Sequence, residues 1–123
     1  AEQVLHDQVR QTELVALATF ESDKVMRQLA PEGQLSVTID PVDASSILDT
    51  NFAVGTIFGV WNSSDLVNVT GRQLLASGTC TYGPRTVLTV ALNDRPATTQ
   101  LVLVDGKWLV SNVFETMRRA RGP

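Results

Sequence analysis

The stretch Asp40-Pro41-Val42-Asp43-Ala44-Ser45-Ser46 constrains this chain more than any other. It follows Gln34-Leu35-Ser36-Val37-Thr38-Ile39, whose alternation of polar and apolar residues reads as a strand with one buried face. Proline fixes its own φ, lacks an amide hydrogen and pushes the preceding residue toward extended geometry. The strand is therefore expected over residues 34–40, stopping at Asp40 in a sharp turn. Two carboxylates three residues apart on such a turn can point at one spot. Hard anionic oxygens placed that way suit Mg²⁺ or Mn²⁺, which are commonly held by one or two carboxylates plus a substrate phosphate. Ala44, Ser45 and Ser46 then offer amide and hydroxyl groups of the kind that hold a phosphate.

The rest of the chain supplies a setting for that turn. Val4, Leu5, Val9, Leu14, Val15 and Leu17 recur at near-helical spacing behind Glu2, which predicts a helix over residues 2–20. Residues 21–33 read as a polar connection with a helical turn near residues 24–29, closed by the turn chemistry of Ala30-Pro31-Glu32-Gly33. A second strand is expected over 52–61, where Gly55 and Gly59 mark a bulge or a close backbone approach. Asn62-Ser63-Ser64-Asp65 is a loop. Residues 72–77 read as a short helix, capped by Thr70 or Asp65 and stopped by Gly78. Residues 86–92 are a β-branched strand. Asp105-Gly106 between two alternating runs predicts a hairpin with a type I′ turn. The expected architecture is α+β: one domain over residues 1–123, with a leading helix on a mixed sheet spanning 34–111 and a basic tail over 112–123.

Composition narrows the function classes. With 123 residues, 43% hydrophobic and 19% charged, the chain can bury one core. Its net charge of −3 argues against a general nucleic-acid binder. No apolar run of about eighteen residues is present, and no secretory signal is visible. Cys80 is the only cysteine, so no intrachain disulfide can form, and a reducing compartment is expected. Cys80 itself is expected to be buried. His6 lies on the predicted helix face as a structural residue, and Trp61 and Trp108 read as core or interface anchors.

The heptapeptide also resembles the Asp-Pro-Leu-Asp-Gly-Ser-Ser signature of the sugar bisphosphatase family. Asp49-Thr50-Asn51-Phe52 and Val60-Trp61 make it more similar to sedoheptulose-1,7-bisphosphatase than to fructose-1,6-bisphosphatase. Val69-Thr70-Gly71-Arg72 and Tyr82-Gly83-Pro84-Arg85-Thr86 extend the likeness. The resemblance implies a partial sugar phosphatase fold and a site on named residues. Asp40, Asp43, the carbonyl of Val42 and Glu21 would ligate Mg²⁺. Ala44, Ser45 and Ser46 would cradle phosphate, and Asp49 would orient a hydroxyl or a water beside them.

Two departures stand out. Ser22 occupies the place of the family's water-activating glutamate, and Ala44 that of its phosphate-loop glycine. The likeness covers the family's central portion, so the C-terminal substrate half is expected to be missing. Two readings stay open. In one, the chain is a structural or interaction subunit of a larger assembly, without turnover of its own. In the other, it is part of a Mg²⁺-dependent sugar-bisphosphate phosphatase. The resemblance implies the chloroplast stroma, or the stromal side of a plastid complex, with cytoplasm as the alternative. The acidic charge balance argues for no nucleic-acid partner, and the lack of a long apolar run for no transmembrane segment.

Overall fold

The structure is a computed structural model that describes residues 2–21, 26–50 and 52–116. Among these, one helix, α1 (Glu2–Gln11), leads into eight strands. The strands are β1 (Val15–Phe20), β2 (Arg27–Gln28), β3 (Leu35–Asp43), β4 (Val54–Trp61), β5 (Leu74–Tyr82), β6 (Val87–Leu92), β7 (Thr98–Val104) and β8 (Lys107–Phe114). They form one mixed sheet in the order β2-β1-β3-β4-β5-β6-β7-β8. Only β1 and β3 run parallel. Every other neighbouring pair is antiparallel. The α+β expectation, a leading helix on a mixed sheet, therefore holds.

The leading helix is half as long as its periodicity predicts. Thr12 turns its hydroxyl back onto the Val9 carbonyl at 2.8 Å, and Glu13 takes a positive φ of 56°, which ends the helix. Residues 15–20 then run as β1, with Val15, Leu17, Ala18 and Phe20 all buried. A strand flanked on both sides carries a near-continuous apolar run. At six residues that pattern cannot be told from a buried helix turn. Val15, Ala18 and Phe20 pack with Val37 and Ile39 of β3, and Leu5 and Val9 of α1 close over them. This small core sits at the β1–β3 end of the sheet, on the face that α1 covers.

The short helix expected over residues 72–77 is also absent. A single 3₁₀ turn spans Gly71–Gln73, with the Thr70 amide bonded to the Gln73 side chain at 2.9 Å, and β5 follows at once. Gly78 lies mid-strand instead of ending a helix. A Cβ there would stand 2.6 Å from the Phe58 ring and 2.7 Å from the Thr89 carbonyl, so the position requires glycine for space. The short internal helix of the fold is instead a 3₁₀ segment, Ser45–Thr50.

Of the helical turn expected near residues 24–29, residues 24 and 25 lie outside the described set, and Arg27–Gln28 pair as β2. The predicted tail begins as strand, since β8 continues to Phe114, and its arginines lie outside the described residues. The β7–β8 hairpin forms as expected, with Asp105 and Gly106 both at positive φ (48° and 75°), as a type I′ turn needs.

Cover runs out toward the other end of the sheet. β8 is exposed along its whole length, with Trp108, Leu109, Val110, Val113 and Phe114 each 42–63% exposed. No helix among the described residues is long and apolar enough to cross a membrane.

Candidate functional site: the carboxylate corner at the ends of β1 and β3

Pro41 does not end β3. The strand passes through it by means of a bulge. Asp40 pairs with Ile57 and Asp43 with Gly55, so three steps along β3 match two along β4. Bulges accept proline because the residue they add is left out of the ladder. The correction has a consequence for side-chain direction. In a regular strand, residues three apart face opposite sides of the sheet. The extra residue restores parity, and Asp40 and Asp43 come to the same face, the one opposite α1. They lie two ladder positions apart, roughly 7 Å along the strand.

Glu21 joins this face from the neighbouring strand. It follows β1 directly, and its amide donates to the Ile39 carbonyl at 3.0 Å, which fixes it beside Asp40. Glu21 and Asp40 thus follow directly on the last parallel pair, Phe20 and Ile39, at the carboxyl-terminal end of the β1–β3 pairing. Both line an open cleft of about 380 Å³ that also includes Thr38, Ile57, Trp61 and Ser77. Asp43 and Ala44 border an adjoining depression of about 270 Å³, which shares Ile57 with the first. Asp40 is half-buried, its carboxylate accepting the Val42 amide at 3.2 Å, whereas Glu21 and Asp43 are exposed. No three His, Cys, Asp or Glu side chains among the described residues converge as a complete metal cage. The donors present are hard oxygens on one face, which fits partial ligation of a divalent cation that keeps waters or takes a phosphate oxygen.

Ala44 is the hinge between β3 and the 3₁₀ segment. Its φ is +64°, a left-handed conformation that costs an L-residue with a Cβ about 1–2 kcal/mol. Ser45 and Ser46 open the segment and are exposed, and Asp49 is exposed one turn further on. Ala44→Gly is expected to raise stability by about 0.5–1 kcal/mol, the strain relief being partly offset by the freer unfolded chain. Urea unfolding of the two chains checks this, and an unchanged or lower stability would contradict it.

Some residues of the corner were not predicted to belong to it. Thr38 accepts the Trp61 indole N–H at 3.1 Å on the cleft face. Thr56 and Tyr82 lie behind the bulge on the α1 side. The signal for them was a proline inside an alternating run, which marks a bulge needing support as readily as a strand end. Cys80 is only partly buried, beside Tyr82 on the same face, where burial was expected. Gly59 makes the close approach expected of it, a Cβ there falling 3.0 Å from the Thr38 hydroxyl. His6 packs its ring at 6.3 Å from Phe20, in keeping with a structural role. Ser22 lies outside the described residues.

A mixed sheet with carboxylates at the carboxyl ends of its parallel strands, facing an open cleft, defines an α+β protein with a ligand corner at the strand ends. The chain belongs to the fructose-1,6-bisphosphatase family: residues 1–112 match the family model for the fructose-1-6-bisphosphatase N-terminal domain. It is 42% identical over 123 residues to the chloroplastic sedoheptulose-1,7-bisphosphatase of Chlamydomonas reinhardtii, covering 99% of this chain and 31% of that protein. To the chloroplastic sedoheptulose-1,7-bisphosphatase of Spinacia oleracea it is 54% identical over 78 residues, covering 63% of this chain and 20% of that protein. The fold matches that of the Leishmania major fructose-1,6-bisphosphatase in holo form with a TM-score of 0.88 at 21% identity, covering 98% of this chain and 40% of that one. The chain thus spans less than a third of either curated relative.

Proposed function

We propose that this chain is the cation-bearing layer of a sugar-bisphosphate phosphatase, acting on sedoheptulose-1,7- or fructose-1,6-bisphosphate in a plastid. The observation that carries the reading is the bulge at Pro41, which turns Asp40 and Asp43 to one face beside Glu21. Asp40, Asp43, Glu21 and the Val42 carbonyl would hold Mg²⁺, which when bound supplies positive charge against phosphoryl oxygens and acidifies a water. Ser45 and Ser46 would hold the phosphate by hydroxyl and amide donors, and Asp49 would orient a hydroxyl beside it. The Ala44 methyl group narrows the approach that a glycine would leave open. The plastid assignment rests on the chloroplastic relatives.

The bare sheet favours a second element of the reading. An edge strand exposed along its full length, with five large apolar side chains on it, is a surface that invites pairing or cover. We therefore assign the isolated chain no turnover. It works as a subunit or layer of a larger assembly, whose partner closes the cleft and covers β8. Phosphate release from sedoheptulose-1,7-bisphosphate with Mg²⁺ tests this directly. The isolated chain is expected to release none, and its assembly to release phosphate in an Asp40-dependent way. Turnover by the isolated chain would contradict the layer reading. An assembly whose activity is indifferent to Asp40→Asn would contradict the site.

A further inference from the structure

Pro41 has no amide hydrogen, so the bulge that presents Asp40 and Asp43 lacks a ladder bond where it bends. Support comes from behind, on the α1 side of the sheet. Thr56, buried to 6% exposure, donates its hydroxyl hydrogen to the Pro41 carbonyl at 2.8 Å. That hydroxyl has one hydrogen only, so its 2.9 Å contact with Tyr82 has the phenol as donor. Tyr82 reaches it from β5, whose register sets Tyr82 opposite Val54. Two strands thus back the bulge, β4 directly through Thr56 and β5 through the Tyr82 bond to that hydroxyl.

We infer that the Tyr82–Thr56–Pro41 hydrogen-bond chain is a positioning device, which sets how the bulge presents Asp40 and Asp43 to a divalent cation. It rests on the cation-binding reading above. Neither Thr56 nor Tyr82 would ligate a cation held by Asp40 and Asp43, since the strand register sets both on the opposite face of the sheet. Partial burial, with Cys80 beside it, raises the phenol above its ordinary range, so Tyr82 keeps its hydrogen at neutral pH and can donate it. The device predicts that removing one buried hydroxyl weakens a site it never contacts.

The test titrates the purified chain with Mn²⁺ by electron paramagnetic resonance and follows urea unfolding without metal. Thr56→Val, which keeps the shape and deletes the hydroxyl, is expected to weaken Mn²⁺ binding about tenfold. Thr56→Ser is expected to restore it. Tyr82→Phe, at a site 42% exposed and so tolerant of change, is expected to weaken binding by less and still fold. It carries the test should Thr56→Val fail to fold. Lost stability with Mn²⁺ affinity unchanged in both hydroxyl deletions overturns the device and leaves the site standing. An unmodified chain that binds no Mn²⁺ overturns the cation reading and the device with it.

Discussion

Phe20→Ala is expected to destabilise the chain by about 3–5 kcal/mol. Phe20 is 1% exposed and packs with Val15, Ala18, Val37 and Ile39. Its ring also meets His6 at 6.3 Å and the Arg27 guanidinium at 5.3 Å. Arg27 in turn is paired with Glu2 at 2.6 Å. One side chain therefore joins α1, β2 and β3 around β1. A domain of this size is stable by about 5–15 kcal/mol, so the loss would remove a large share of the total. The effect is concentrated because the buried core is confined to one end of the sheet, and β5 to β8 contribute no buried apolar residue to it. Urea unfolding followed by circular dichroism measures it. A loss below about 1 kcal/mol would place the stabilising contacts elsewhere.

Asp40→Asn is expected to weaken divalent-cation binding on the order of a hundredfold. The asparagine keeps an oxygen to accept the Val42 amide, so the 3.2 Å bond that shapes the bulge survives and only the charge is removed. A unit charge about 4 Å from its partner contributes about 4 kcal/mol per charge at an effective dielectric near 20, and hydration of the ion offsets part of that. Asp43→Asn should cost less, since Asp43 is exposed and better screened. Isothermal titration with Mn²⁺ reads both. Affinities unchanged in both variants would show that the corner holds no cation.

The parts of the fold legible from the residues were those written in local chemistry. Asp105-Gly106 specifies its turn because both positions need positive φ. Gly55 and Gly59 announced close approaches, and a Cβ at Gly55 would stand 2.9 Å from the Cys80 carbonyl. The failures share a cause. Residues 15–20 and 74–82 are apolar or small runs whose partners lie far along the chain, and periodicity within a short window carries no information about those partners. Gly78 read as a helix stop because its real reason, the Phe58 ring, sits on another strand.

The candidate site shows the same division. The residues Asp40 and Asp43 were plain, and the family that owns them could be named. Their convergence was expected from a turn that ends the strand, but the strand continues, and without its bulge a three-residue spacing would have set them apart. The bulge that unites them depends on register with β4 and on Thr56 and Tyr82, neither of which the motif contains. Ala44 is intermediate: that it replaces a glycine is visible in the sequence, whereas the strain it carries follows from a φ of 64° that only the backbone shows.

Paramagnetic broadening of the backbone amide spectrum by Mn²⁺ tests the central claim most directly, because it reports where the ion sits and not merely that it binds. The amides of Glu21, Asp40, Val42, Asp43 and Ala44 should broaden first and be restored by excess Mg²⁺, while Gly106 at the far hairpin stays sharp. Broadening centred on other carboxylates, such as Asp94 or Asp105, or none at all at millimolar Mn²⁺, would show that the bulged corner is only a bend in a strand.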